Sequence, residues 1–408
     1  MRAFSSITPA ALAAVFIAVS GAAAEKIAPR TLEFLQDTTI SGHIQSSYQH
    51  TFGARGLPGE AGARQFNTTG DGFSLNQAKV TLEHPLSDNE FATGYRVDFL
   101  AGQDAQRIHS YGMFSSRTNE LTRRQGVGSD SALDVEQAYL TFRLPVGTGL
   151  EVKFGKFVSL AGAETIDAPG NWFFSRSYIF GFGEPFTHTG ALLSYQWNDW
   201  LDTRAGVVNG WDAVQDNNSG KTVVGRAGVT LFDGKLKNAV TVIGGPEQAG
   251  NNSNYRWIVD DVLTWQPPME NLLVTLNGLY GHEDGAVDSA NVFHAGSFAW
   301  WGALASVRYQ WTPFVTTALR YEYFSDTDGV RTDGAGGIGP QPLGLTMRGV
   351  DYQAVTWSVW LERLMPNLTP RVEVRWDRAN RPVFQALTDG SGGAHSQVSV
   401  SLDMVYVF

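Results

Sequence analysis

The chain has no cysteine among its 408 residues. That excludes disulfides, thiolate metal sites, a lipid-modified N-terminal cysteine and covalent haem attachment. An exported chain of this length without disulfides needs a large core or a closed sheet for its stability. Beyond residue 24 there is no run of about 18 apolar residues, so no helix is available to span a bilayer. Basic residues are few: 30 Lys and Arg stand against 40 Asp and Glu, which argues against a nucleic-acid partner. Catalytic signatures are missing as well, with no G-x-S-x-G and no H-E-x-x-H. Gly334, Gly336 and Gly339 spell G-x-G-x-x-G, but Pro340 follows where a dinucleotide site needs a helix. In SGKT the first glycine of a P-loop would fall on Gln215, so that motif fails too. His282, Glu283 and Asp284 are adjacent metal-ligand types, and 212–220 is rich in Asp and Asn without EF-hand spacing. Both stretches read as solvated loops. The expectation is no enzyme, no cofactor and no metal.

What is present begins with a targeting segment. Arg2, the apolar run Ala10 to Val19 and Ala22-Ala23-Ala24 predict a cleaved signal peptide over 1–24. The mature chain then starts at Glu25, with 25–38 as a periplasmic lead-in. The 45 glycines, 12 Trp, 13 Tyr and 24 Phe favour turns and strands over helices.

Alternation with a period of two recurs along the whole chain. In EFATGYRVDFLA, Phe91, Thr93, Tyr95, Val97 and Phe99 share one face, opposite Ala92, Gly94, Arg96 and Asp98. LTPRVEVRWD and the terminal HSQVSVSLDMVYVF repeat the pattern. About 16 such segments can be marked, a porin-sized set. Their spans are 39–49, 73–84, 90–101, 133–144, 150–158, 187–197, 200–210, 222–232, 236–245, 256–266, 271–282, 297–311, 314–325, 347–361, 368–377 and 396–408. The tenth and fourteenth alternate poorly, which suggests bulges.

Short connectors (84–89, 145–149, 198–199, 233–234, 267–270, 312–313) alternate with long ones (50–72, 102–132, 159–186, 211–221, 246–255, 283–296, 326–346, 378–395). Turns and loops therefore gather at opposite ends of the strands. A soluble sandwich has no reason to sort its connectors this way. In hydrocarbon every backbone polar group must pair internally, so a spanning sheet has to close. The expected fold is all-β: a transmembrane antiparallel up-and-down barrel over 39–408, of roughly 14 to 18 strands. Trp197, Trp200, Trp265, Trp311, Tyr406 and Phe408 lie near the short turns, as an interfacial girdle would. Tyr406 and the terminal Phe408 also read as an assembly signal for the barrel assembly machinery. Lipid and lipopolysaccharide of the bacterial outer membrane are the expected surroundings.

The third long connector carries Gly155-Lys156-Phe157, Gly162, Glu164, Asn171, Ser175-Arg176-Ser177-Tyr178, Pro185 and His188-Thr189-Gly190. In these residues, and in its strand-and-turn layout, the chain resembles the OmpL-like β-barrel porin-2 family of bacterial outer membranes. The resemblance implies an outer-membrane channel and says little about the solute. By analogy with general porins, 159–186 would fold into the lumen as the constriction, and the assembly would be a homotrimer.

An aromatic loop (Trp172, Phe173, Phe174, Tyr178, Phe180, Phe182) also fits burial better than free solvent. The expected pore lining is Glu164, Asp167, Arg176 and Glu184 from the loop. Facing it would be Arg96, Arg143, Arg204, Arg226, Arg320, Arg371 and Arg375 from the polar face of the wall. Opposed charge across a narrow aqueous pore would set up a transverse field that sorts solutes. The leading function is passive diffusion of small hydrophilic solutes or ions. Two other readings stay open: a selective channel with an aromatic track for sugars or small organics, and a plugged structural or adhesive barrel.

Overall fold

The computed structural model describes residues 37–52, 64–67, 69–114, 131–287, 293–332, 349–384 and 394–408. The signal peptide over 1–24, nearly all of the lead-in over 25–38 and the glycine motif at 334–339 lie outside the described residues. Among the described residues there are sixteen strands. They are β1 (Thr39–Phe52), β2 (Asp71–His84), β3 (Ala92–Ala101), β4 (Leu133–Leu144), β5 (Leu150–Val158), β6 (Thr187–Asn198), β7 (Leu201–Val208) and β8 (Thr222–Leu231). They continue as β9 (Leu236–Pro246), β10 (Tyr255–Trp265), β11 (Leu272–Val287), β12 (Phe293–Thr312), β13 (Val315–Asp326), β14 (Val350–Leu361), β15 (Leu368–Ala379) and β16 (Ser396–Val407). Each strand pairs antiparallel with its chain neighbours, and β16 pairs with β1, so the sheet is a closed barrel. Closure leaves no edge unpaired in the hydrocarbon.

Alternation sets the two faces. On β16, Gln397, Ser399, Ser401 and Asp403 are buried inside, and Val398, Val400, Leu402, Met404 and Tyr406 point outward. Trp197, Trp200, Trp265, Trp311, Tyr406 and Phe408 are all exposed near the short-turn end. Trp197 and Trp311 each donate an indole N–H to a threonine one strand on, Thr203 and Thr317, at 2.8 and 2.9 Å.

The seam between first and last strands depends on one glycine. Gly42 and Phe408 exchange both backbone hydrogen bonds, at 2.9 and 3.0 Å. A Cβ on Gly42 would lie 2.7 Å from the Phe408 ring and 2.1 Å from the Lys79 carbonyl oxygen.

Three expectations need correction. β10 and β14 pair without interruption on both sides. The register shifts fall elsewhere, at Gln45/Ser46, Asp98/Phe99, Asp284/Ala286 and next to two short turns. The poor alternation of β10 and β14 has another cause: apolar residues on the inner face (Ile258; Val350, Tyr352, Ala354) are buried, while Asp261 and Asp351 sit outside. Secondly, β11 and β12 reach Val287 and Phe293, so His282, Glu283 and Asp284 are strand residues and the connector 283–296 shrinks to 288–292. Thirdly, the polar inner face does not simply meet water. Arg320, Arg371, Arg375, Glu373 and Asp377 are at most 2 % exposed, because a loop covers them.

Candidate functional site

The covering element is 159–186, between β5 and β6. Its neck closes where the Ser159 N–H donates to the Phe186 carbonyl at 2.9 Å. The descending arm is held together by Asn171. Its side-chain oxygen accepts from Thr165 N–H at 3.0 Å, and its amide donates to the Thr165 and Asp167 carbonyls at 2.9 and 2.7 Å. Arg176 grips the same arm, donating to the carbonyls of Thr165, Ile166 and Phe174 at 3.0, 2.7 and 3.1 Å. It is thus an internal brace of the loop and not a free lumen charge. Gly162 has φ of +88°, and a Cβ there would lie 2.0 Å from a Glu184 carboxylate oxygen.

The wall holds the loop by its backbone. Glu373 on β15 accepts from the N–H groups of Phe174 and Ser175 at 2.8 and 3.2 Å. Glu322 on β13 accepts from Tyr178 N–H at 2.5 Å. Carbonyls are taken by arginines: Ser175 by Arg320 at 3.0 Å, Asn171 by Arg371 at 2.8 Å and Arg176 by Arg375 at 2.9 Å. Further round the wall, Asp260 on β10 accepts from Gly162 N–H at 2.8 Å, and Thr241 on β9 donates to the Leu160 carbonyl at 3.2 Å. Gln77 on β2 pairs with Ile166 and Ala168 at 2.7 and 2.9 Å. The Trp300 and Trp360 indoles reach the Gly183 and Trp172 carbonyls at 3.0 and 2.7 Å. Hydrogen bonds to charged groups contribute about 1.5–3 kcal/mol each, so contacts on opposite walls fix the loop across the barrel.

Apolar packing completes the fixation. The segment Ile179–Gly183 forms a π-helical turn with every residue buried. Tyr178 stacks on Tyr352 at 4.4 Å, and Phe182 meets Phe324 and Tyr352 at 6.2 and 6.3 Å. On the other side Phe180 and Phe186 enclose Phe66, at 5.6 and 5.4 Å. Gly302 on β12 leaves the space that Ile179 fills; a Cβ there would be 2.5 Å from Ile179. The aromatics expected along a solute track are therefore core residues, with only Trp172 partly exposed.

The expected acids and arginines meet in an unexpected way. Glu164 pairs with Arg320 at 2.5 Å, and Asp167 pairs with Lys79, a wall lysine missed from sequence, at 2.7 Å. Lys79 also bridges to Asp98 and Glu136, at 2.9 and 3.0 Å. Glu184 has no ion pair with an arginine among the described residues. It is fully buried beside Gly162, and one of its oxygens has no hydrogen-bond partner among the described residues. Burial, with Asp260 and Glu164 nearby, raises its pKa well above the ordinary carboxyl range. Arg320 lies 3.6 Å from Glu322, whereas Arg371 pairs with Asp403 at 2.6 Å, leaving Glu373 to the loop.

The remaining wall arginines stay partly exposed. Arg96 pairs with Asp98 and Glu83 at 2.9 and 3.3 Å. Arg143 reaches Asp88 in the first short turn at 3.0 Å. Arg204 and Arg226 sit directly opposite one another on β7 and β8. Inner-face position would have flagged Lys79, Glu322 and Glu373. What the loop does with them is not a property of the strand pattern.

A closed barrel with an apolar outer belt, and a hydrogen-bonded loop folded into a charged interior, is the architecture of a porin channel of the outer membrane. The chain belongs to the family described as "Putative beta-barrel porin-2, OmpL-like", whose model matches residues 37–408. Among solved structures it resembles the outer membrane channel DcaP of Acinetobacter baumannii, at 12% identity and TM-score 0.55 over 91% of this chain and 97% of that one. An anion-selective porin from Comamonas acidovorans matches at 11% identity and TM-score 0.55, over 91% and 99%. The trimer form of OmpT from Vibrio cholerae matches at 10% identity and TM-score 0.54, over 91% and 99%. At these identities the likeness is one of fold. No curated protein matches the sequence.

Proposed function

We propose that loop 159–186 is the constriction of this porin, which lets small hydrophilic solutes or ions diffuse passively and excludes larger ones. The observation that carries the reading is that residues 173–188 are all buried, with the loop backbone held by β2 and β10 on opposite sides of the barrel. Between loop and wall, cavities of about 260 Å³ beside β8–β10 and about 170 Å³ beside β10–β12 remain. Solutes take that side. No residue is assigned a catalytic role. Outer-membrane lipid, lipopolysaccharide and the barrel assembly machinery are the expected partners. A homotrimer is the expected assembly, supported by the trimer form of a protein of like fold.

Single-channel recording in planar bilayers tests the constriction. The wild type gives small discrete steps, and Phe182→Ala or Tyr178→Ala, which loosen the packing of the loop on Tyr352, give larger ones. Unchanged conductance in both variants would show that the limiting cross-section lies elsewhere. Native mass measurement of detergent-extracted protein tests the trimer.

A further inference from the structure

We propose that the open side of the lumen is an anion filter, favouring small solutes that carry carboxylate or phosphate. The inference rests on the reading that solutes pass between the loop and the β7–β12 wall. Both acids on the descending arm of the loop are held by wall cations, Glu164 by Arg320 and Asp167 by Lys79, which Asp98 and Glu136 share. Glu184 is buried beneath Gly162. The loop therefore turns no unpaired carboxylate into the passage, since Asp167 is held at β2, away from β7–β12.

The facing wall does the opposite. Arg204 on β7, Arg226 on β8 and Lys237 on β9, with Lys153 on β5 beside that wall, all lie at inward positions and remain at least partly exposed. Arg204 and Arg226 occupy directly opposed register positions. Like charges so placed destabilise a sheet unless negative charge lies between them. They share one carboxylate, Asp202, which lies 2.6 Å from Arg226 and 4.0 Å from Arg204. The Arg204 side chain keeps 40% of its exposure.

Lys153 and Lys237 have no ion pair among the described residues. Lys153 instead rests over the Tyr139 ring at 4.2 Å. The other acids near this arc are Asp260, which lines the same cavity and accepts from Gly162 N–H, Glu151, on the strand of Lys153, and Glu83, which is bound to Arg96. Arg226, Lys237 and Asp202 line the 260 Å³ cavity directly under Leu160 and Gly162 of the loop. Two guanidinium groups sharing a single carboxylate keep donors free for a second oxyanion, and planar forks suit carboxylate and phosphate. Charges within a Debye length, about 8–10 Å, act on an ion together.

Reversal potentials across a planar bilayer under a potassium chloride gradient decide the matter. The wild type should pass chloride in preference to potassium. Arg204→Gln with Arg226→Gln should bring the permeability ratio towards unity, and glutamate at both positions should invert it. Asp202→Asn should raise the anion preference. With potassium acetate or potassium phosphate in place of the chloride, the wild type should keep its anion preference. Wild-type steps with a cation preference would overturn the filter while leaving the channel intact, and so would an unshifted ratio in a double variant that still forms steps. Absence of steps in the wild type would overturn the channel reading itself. The wild-type measurement stands even if a double variant fails to assemble.

Discussion

Gly162 and Glu184 occupy the same space from two ends of one loop. Gly162 needs a left-handed backbone, which costs other residues about 1–2 kcal/mol, and any side chain there would strike the Glu184 carboxylate. Gly162→Ala should therefore displace the loop, read as a raised single-channel conductance with the barrel still heat-modifiable on a gel. Glu184 itself lies outside the strands, and burial raises its pKa well above the ordinary range. The sign follows from linkage: the folded state holds this proton more tightly than the unfolded chain. Its contribution is fully present below the ordinary carboxyl pKa and is lost as pH rises through the raised folded value. The temperature at which the folded gel band disappears should thus fall as pH climbs through that range. Glu184→Gln, which stays neutral, should remove that part of the pH dependence. An identical pH profile in the variant would show that this carboxyl does not titrate in the fold.

At the scale of elements, loop and wall form one unit, and the strength of the wall's charges follows from which of them the loop covers. Arg371 holds the Asn171 carbonyl and pairs with Asp403, which also accepts from Gln45 across the seam. Arg371→Leu would leave Asp403 buried without its cation, a loss of about 3–5 kcal/mol. Arg96→Gln should cost less than that, because the buried Asp98 keeps Lys79 at 2.9 Å when Arg96 is lost. Comparing the denaturant midpoints of the two variants checks the contrast, and equal midpoints would contradict the covering role of the loop. Sequence alternation identified both arginines as inward-facing, because side-chain direction in a strand depends only on parity. It could not tell which inward charges the loop would bury, since Arg96 and Arg371 have the same local pattern. The poor alternation in β10 and β14 was visible too. Its cause was not, because an apolar inner face under a loop looks like a lost register until the loop is in place. The aromatic composition of 159–186 was the one local signal that something would be buried there.

For the molecule as a whole, stability in the membrane depends on the last strand finding the first. Closure brings Phe408 back to Gly42, where two backbone hydrogen bonds form and the terminal ring lies over a residue without a side chain. The apolar face from Val398 to Tyr406 then completes the outer belt, and Asp403 joins β16 to Arg371 and Gln45 inside. Two roles for Phe408 can be separated. If the terminal aromatic serves only as a signal for the assembly machinery, deleting it should lower surface yield, while Gly42→Ala, which keeps it, should leave yield unchanged. If the ring must also seat on Gly42 to close the sheet, Gly42→Ala should lower yield as well, because its Cβ would sit 2.7 Å from the ring and 2.1 Å from the Lys79 carbonyl. The expected outcome is that both changes reduce the heat-modifiable, surface-exposed fraction, and that the channels which do assemble keep wild-type conductance, since the seam lies away from the passage along β7–β12. Normal yield from Gly42→Ala would assign Phe408 to signalling alone.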